Sequence, residues 1–397
     1  MPVATAPAHP GADLRQTLVS LRRRLHAYPE LGFQEDRTRT LLVDWLTDRG
    51  FSVHGPVAKT GLWVDIDGAH PGPRVGYRAD MDALPLQDQK EVPYRSRHAG
   101  VTHACGHDAH MAIACGVALQ ARERRDEMHG GVRVFFQPNE ESNPSGAPVM
   151  IRNGVLDGLS AAYAVHMDPA IPVGRFGFRV GALTAACSPF VVRVASGQSG
   201  HSARPHEAVD TVWIATQIAT QFYQIVGRVS DARKSAVVTI CRFQGGDALN
   251  VVPSEVEFGG TLRCADNETI VFLREKLRRV AGALGAVYKA DVDVDFGDPL
   301  PAVVNTERET RLASEAAASL FGADATEEIR LPSMGGEDFS FYLERVPGCM
   351  VRVGSASGAE TRYPLHHARF DLDEAALPLA ARLMTETLLR DLAARAA

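Results

Sequence analysis

The run Ser188-Pro189-Phe190-Val191-Val192-Arg193-Val194 opens a stretch in which the sequence changes its grammar. Phe190 to Val194 reads as a strand, and a helix follows over about Val209 to Val226. Two strands come next, Ala236 to Phe243 and Val256 to Leu262, then a helix over about Thr269 to Leu284 and a closing strand, Val292 to Phe296. The order is β-α-β-β-α-β, the split βαβ or ferredoxin-like α+β arrangement, for which about 110 residues suffice as an independent domain. Outside this stretch the pattern is different. Upstream, apolar residues recur at helical spacing from Leu14 to Ala27 and again from about Arg37 to Arg49. Short β-rich runs at Val53, Gly61 to Ile66 and Arg74 to Tyr77 follow, then a helix from about Ala109 to Arg124 and strands at Val132 to Phe136 and Ala161 to Val165. Downstream, helices near Arg308 to Leu320 and Glu374 to Ala393 flank a strand at Cys349 to Val353. Alternating helices and buried strands on both sides predict one α/β layered domain, 1–187 and 297–397, into which residues 188–296 are inserted.

Length agrees with two cores, because 397 residues exceed the roughly 250 to 300 at which a single core stops growing. A composition 45% hydrophobic and 23% charged excludes disorder and disulfide-rich miniproteins. The net charge of −6 and the lack of a long basic run exclude the electrostatic footprint of a nucleic-acid or anionic-membrane binder, leaving a small molecule as the expected partner. Met1 to Gln16 has no basic region followed by an apolar run, and no stretch is apolar and charge-free for 18 residues, so neither export nor membrane insertion is expected. The six cysteines are scattered, as reduced cytoplasmic thiols are.

Chemistry concentrates in five places. Thr102-His103-Ala104-Cys105-Gly106-His107-Asp108-Ala109-His110 packs three imidazoles, a thiol and a carboxylate ahead of a helix. Cys105 and His107 can both turn toward one ion, with Gly106 letting the backbone bend; the same residues could also pad the helix start, with Asp108 as N-cap. Phe135-Phe136-Gln137-Pro138-Asn139-Glu140-Glu141 is an apolar strand ending in two carboxylates. Neighbouring side chains on extended backbone point to opposite sides, so one can hold a metal while the other meets water. Arg78-Ala79-Asp80-Met81-Asp82-Ala83-Leu84-Pro85 again runs a strand into carboxylates, either of which could ligate or hold a ligating histidine in its tautomer. His166 follows the strand Ala161 to Val165, and Leu365-His366-His367 lies near the C-terminus.

Together these fragments resemble the metal-dependent amidohydrolases and aminoacylases related to the co-catalytic zinc exopeptidases, in the branch of hippurate hydrolases and indoleacetyl-amino-acid hydrolases. The resemblance runs from about Arg22 to Met384. It is carried by Arg24 to Leu31, Arg78 to Pro85, His103 to His110, Phe135 to Glu141, Gly200-His201-Ser202-Ala203-Arg204-Pro205-His206, Asn250-Val251-Val252-Pro253 and Gly336-Glu337-Asp338-Phe339.

The resemblance implies a zinc-exopeptidase-like catalytic domain with an inserted lid and dimerisation domain. It implies two divalent ions (Mn2+, Zn2+, Co2+ or Ni2+) on Cys105, His107, Glu141, His166 and His366, with Glu140 as general base and Asp80 supporting the site. Arg78 stands where more distant relatives carry a histidine ligand, and His366 is preferred over His367 because it directly follows the leucine of the motif. His201 resembles a lid histidine that stabilises the oxyanion, and Asn250 and Arg263 stand as contacts for the substrate carboxylate. The implied reaction is hydrolysis of N-acyl amino acids by a homodimer. Alternatives are a dipeptidase or carboxypeptidase, a hydrolase using Cys105 as nucleophile, and a non-catalytic binding module. Asn139, where the branch commonly has alanine, and Met334-Gly335-Gly336, where serine is common, depart from the pattern without removing a ligand.

Overall fold

The computed structural model describes residues 10–396. Residues 1–9, on which the expectation of no export leader partly rests, lie outside the described residues. The chain divides into two compact units, one of Met1–Gly181, Val304–Arg330 and Phe341–Ala397, the other of Ala182–Val303 and Leu331–Ser340.

The first unit is built on an eight-stranded sheet. Its strands are β1 (Val53–Val57), β2 (Gly61–Asp67), β3 (His70–Asp80), β4 (His129–Gln137), β5 (Leu159–Pro172), β6 (Phe176–Phe178), β7 (Thr326–Glu328) and β8 (Gly348–Ala356). They lie in the order β1-β2-β4-β3-β5-β8-β6-β7. The central strands β4, β3, β5 and β8 are parallel neighbours. Burial on both faces explains their near-continuous apolar runs, Val132 to Phe136 and Tyr163 to Val165 among them. The helices are α1 (Pro10–His26), α2 (Asp36–Thr47), α3 (His107–Glu123), α4 (Gly146–Arg152), α5 (Glu307–Phe321) and α6 (Ala376–Ala396). Helix α3 packs against α1 and α6 and is rich in small apolar residues, Ala109, Ala112, Ala114 and Ala118, all buried in the core. At the carboxyl ends of two parallel strands stand Asp80 and Gln137, where open α/β sheets build their sites, and His166 stands on their neighbour β5.

The second unit has a four-stranded antiparallel sheet. In chain order the strands are Ala186–Ala195, Ala236–Gln244, Glu255–Cys264 and Asp291–Phe296, and in space they run second, third, first, fourth. Helices Thr211–Val229 and Asn267–Tyr288 complete a β-α-β-β-α-β order. Alternate residues Phe190, Val192 and Val194 point inward against Ile214, Ile218, Phe222, Leu273 and Leu277. Each helix starts on an aspartate, Asp210 accepting from Trp213 N at 2.9 Å and Asp266 from Thr269 N at 2.8 Å. The segment Leu331–Ser340 joins this unit: Ser333 N donates to Leu183 O and Gly335 O accepts from Ala185 N. Among the described residues no helix is long and apolar enough to cross a membrane.

Candidate metal centre

Helix α3 begins at a glycine in the left-handed region, Gly106 at φ +88°, where a Cβ would stand 3.0 Å from the Met167 side chain. This tight turn sets Cys105 and His107 on either side of it. His107 Nδ1 lies 2.8 Å from the Asp82 carbonyl oxygen. A carbonyl only accepts, so Nδ1 carries a proton in either ionisation state, and Nε2, buried and without a hydrogen bond among the described residues, is the nitrogen open to a metal. His166, within β5, repeats the device: Nδ1 donates to Met167 O at 2.8 Å, and Nε2 lies 3.5 Å from Cys105 Sγ. Glu141 Oε1 is likewise buried without an aligned hydrogen bond, 3.9 Å from His107 Nε2 and 3.2 Å from His366 Nε2.

Cys105, His107 and Glu141 each offer one ligand atom, all within 4.8 Å of one another. His107 Nε2 and Glu141 Oε1 are buried polar atoms without an aligned hydrogen bond, an arrangement that is costly unless a cation or shared protons join the groups. The donor set suits a divalent transition metal, and the residues fit one.

His366 reaches the cluster from the far end of the chain. Its backbone sits at φ +64°, and its N–H donates to Ala104 O at 2.8 Å, stitching the two segments together. His367 instead stacks on Tyr363 at 4.7 Å and accepts from Arg369 N. A buried arginine braces both segments: Arg22 donates to Asp108, in the first turn of α3, at 2.7 Å and to Asp371, beyond His366, at 2.8 Å. His103 turns elsewhere; its ring lies 6.2 Å from that of His26, and burial pushes its pKa down to about 3.

Without a cation the cluster holds protons. Hydrogen bonds to Cys105 and Glu141 push His366 up to about 10. Burial opposes the same shift in His107, yet the Asp80 and Asp82 carboxylates hold it well above the usual imidazole range. Burial and the nearby Glu141 raise the Cys105 thiol. An incoming ion displaces these protons, so uptake and proton release go together.

Asp80, His107 and His110 also lie within 4.8 Å of each other, but they do not form a second cage. Met167 N donates to His110 Nε2 at 3.0 Å, which forces the proton onto Nδ1, and Nδ1 donates to Asp80 Oδ1 at 2.7 Å. Asp80 Oδ2 accepts from Arg78 at 2.6 Å and stands 3.6 Å from His107 Nε2. Both nitrogens of His110 are committed.

Two further carboxylates, Asp82, read from the sequence as a possible ligand or histidine support, and Glu35, to which the sequence assigned nothing, fix the backbone of the glutamate pair. Asp82 Oδ1 accepts from Glu140 N at 2.9 Å and Oδ2 from Glu141 N at 3.0 Å. Glu35 Oε1 accepts from Asn139 N at 3.0 Å. Three successive amides are thus held by two buried acids. Asn139 itself adopts φ +52°, a left-handed conformation that asparagine tolerates better than alanine, and its side chain ties down Ser142 O and Pro144 O. Gly32 makes room for it: a Cβ there would stand 1.7 Å from Asn139 Oδ1. The departure from alanine at 139 therefore has a conformational reason.

Glu35 yields a stability prediction. Burial pushes its pKa from 4.5 up to about 7, against hydrogen bonds from Thr60 and Asn139. Between those values the native state keeps a proton that the unfolded chain has lost, so this group's contribution to stability falls as pH rises through the window. Glu35→Gln, whose amide can still accept from Asn139 N and meet Thr60, is expected to gain on the wild type by about 3 kcal/mol between pH 5 and pH 8. Urea unfolding of the metal-free protein at the two pH values checks it; a difference independent of pH rejects it.

His201, Asn250 and Arg263 belong to the second unit. His201 is exposed, and its Nδ1 accepts from Ala203 N at 3.0 Å, which leaves Nε2 as the donor of the neutral ring. Asn250 is exposed and gives its carbonyl to Ser202 N. Arg263 Nη1 donates to Met334 O at 2.6 Å and lies 3.3 Å from Cys187 Sγ.

Residues 76–390 match the family model described as peptidase family M20/M25/M40. The N-acetylcysteine deacetylase of Bacillus subtilis is 38% identical over 93% of this chain and 95% of its own. The Arabidopsis thaliana IAA-amino acid hydrolase ILR1-like 4 is 34% identical over 94% of this chain and 84% of its own. The crystal structure of Bacillus subtilis YXEP protein, described as a dinuclear metal binding peptidase from the M20 family, superposes with a TM-score of 0.85 at 35% identity, covering 96% of this chain and 99% of that one. A converging donor set at the strand ends and a match over most of the length lead to one conclusion: this chain belongs to peptidase family M20/M25/M40 and is a metal-dependent hydrolase.

Proposed function

We propose that the protein hydrolyses the amide bond of N-acyl amino acids, releasing a carboxylic acid and a free amino acid, within the branch of hippurate and indoleacetyl-amino-acid hydrolases. The observation that carries this reading is the pairing of a ligand-ready Glu141 with Glu140, the adjacent residue on a backbone clamped by Asp82. The names of the two relatives above, a deacetylase and an amino-acid-conjugate hydrolase, both describe removal of an acyl group from an amino acid, which supports the substrate class.

In this reading Cys105, His107, Glu141, His166 and His366 would hold two divalent ions. Bound there, the ions supply positive charge that polarises the scissile carbonyl and acidifies water. Thiolate and imidazole suit zinc, while the carboxylates also accept manganese, cobalt or nickel. Glu140 takes the proton from the attacking water and delivers it to the leaving nitrogen. Asp80 keeps His110 in one tautomer and lies close behind His107. His201 presents Nε2–H to the developing oxyanion, and Asn250 and Arg263 serve the amino-acid side of the substrate.

Residues 188–296 form the ferredoxin-like lid and dimerisation domain, and 1–187 with 297–397 the catalytic domain. A cytoplasmic setting fits the six cysteines, all free thiols.

A metal-reconstituted panel of N-acetyl, N-benzoyl and indoleacetyl derivatives of L- and D-amino acids, with short dipeptides beside them, tests the reaction. Hydrolysis of N-acyl amino acids that a strong chelator abolishes and Mn2+, Zn2+ or Co2+ restores is the expected result. Persistence of activity without bound metal would instead point to Cys105 as nucleophile, and preference for dipeptides to a peptidase.

A further inference from the structure

The first unit contains four well-buried arginines, and three are fully satisfied. Arg22 pairs with Asp108 and Asp371, Arg78 with Asp80 and Gln137, and Arg133 forks onto Asp65 while donating to Val155 O. The fourth is Arg352. It is 8% exposed, yet among the described residues it has neither an ion pair nor a side-chain hydrogen bond. None of its nitrogens is among the buried polar atoms left without a partner, so the stem is buried while the guanidinium tip meets solvent, open to an anionic ligand.

The position of Arg352 in the sheet says which ligand. On β8 it is the registered partner of His166 on β5, and on its other side it faces Gly177 of β6, which has no side chain. Registered neighbours project from the same face about 4.8 Å apart, so Arg352 and His166 leave the sheet side by side. His166 Nε2 in turn lies 3.5 Å from Cys105 Sγ. A fixed positive charge beside a site built for cations is repulsive unless an anion comes between them.

We propose that Arg352 is a specificity-determining residue that receives a carboxylate of the substrate beside the metal centre, a role that rests on the N-acyl amino acid reading above. The α-carboxylate carbon of such a substrate is two bonds from the scissile nitrogen, a separation of a few ångströms that is compatible with the spacing of adjacent strands. Arginine suits the task because its planar fork takes both carboxylate oxygens. Arg263, whose Nη1 already donates to Met334 O, does not carry this load alone. The same chemistry would also recognise a carboxylate on the acyl group, and the test separates the two.

Wild type, Arg352→Met and Arg352→Lys, each assayed for bound metal, are compared on three substrates: an N-acetyl amino acid, its α-carboxamide, and an N-succinyl amino acid α-carboxamide. Arg352→Met is expected to lower kcat/KM about thirty-fold on the free acid and less than about three-fold on the N-acetyl carboxamide, with metal content unchanged and partial recovery in Arg352→Lys. If only the N-succinyl substrate is sensitive, the carboxylate received is that of the acyl group. Equal loss on acid and N-acetyl carboxamide, or no loss on either acid, overturns the proposal. Calorimetric binding of the N-acetyl amino acid and of its carboxamide to the metal-loaded proteins supplies a second reading: the wild type should prefer the acid and Arg352→Met should not. Should the wild type hydrolyse none of the three, the N-acyl reading falls, and this binding preference still decides for or against Arg352.

Discussion

Glu140→Gln is expected to cut turnover at least about 100-fold, the usual worth of a general base, while leaving bound metal nearly unchanged. The substitution keeps the shape of the side chain and the backbone amide that Asp82 holds, and removes only the capacity to take up a proton. Glu141, not Glu140, stands within 3.9 Å of His107 Nε2 and 3.2 Å of His366 Nε2, so the ligand cluster loses nothing. Metal analysis and steady-state kinetics on the same preparation read both quantities. A variant that loses its metal would show that Glu140 is a ligand, and one that keeps most of its turnover would place the base elsewhere.

Asp82→Ala is the second large effect. One carboxylate accepts the amides of both glutamates, and its Oδ1 also stands 3.4 Å from His107 Nδ1. Its removal strands two part-buried N–H groups, at up to about 1–3 kcal/mol each, and frees Glu140 and Glu141 together. Metal affinity should fall about 10- to 100-fold, as when the partners of metal ligands are deleted, and turnover should fall even at saturating metal. Asp82→Asn keeps one acceptor oxygen and should lie between wild type and alanine, which separates loss of positioning from general misfolding. Equal affinity and turnover in all three proteins would show that the pair holds its geometry unaided.

Much of this is readable along the chain, for a physical reason. The central strands are buried on both faces and write themselves as apolar runs, so Val132 to Phe136 and Ala161 to Val165 are legible from the order of residues alone. The inserted β-α-β-β-α-β order is equally plain, because its two helices are long and amphipathic and its first strand alternates inward and outward residues. Helix α4 is not: its seven residues follow a loop shaped by Asn139 and carry too few turns for a pattern. The three-residue strands β6 and β7 are shorter still. Cys105, His107 and the two glutamates announce themselves because ligating residue types cluster in sequence. His110 looks equivalent to His107 there, and only the amide of Met167, remote in sequence, decides otherwise. Arg22, Glu35 and Arg352 are silent for the same reason. Their meaning lies in which partners they have or lack across the fold, and no local pattern records that.

The strand order has a consequence for how the protein is made. Gly348–Ala356 lies between Leu159–Pro172 and Phe176–Phe178 in the sheet, although the whole of Ala182–Val303 is synthesised before it. On the ribosome the earlier two strands must wait with open hydrogen-bonding edges until the last strand emerges. That is an invitation to sticking between nascent chains, during which the intervening unit is free to fold. His366 and the Asp371 anchor of Arg22 leave the ribosome later still. The ligand set proposed above is therefore complete only once the segment that carries His366 has emerged.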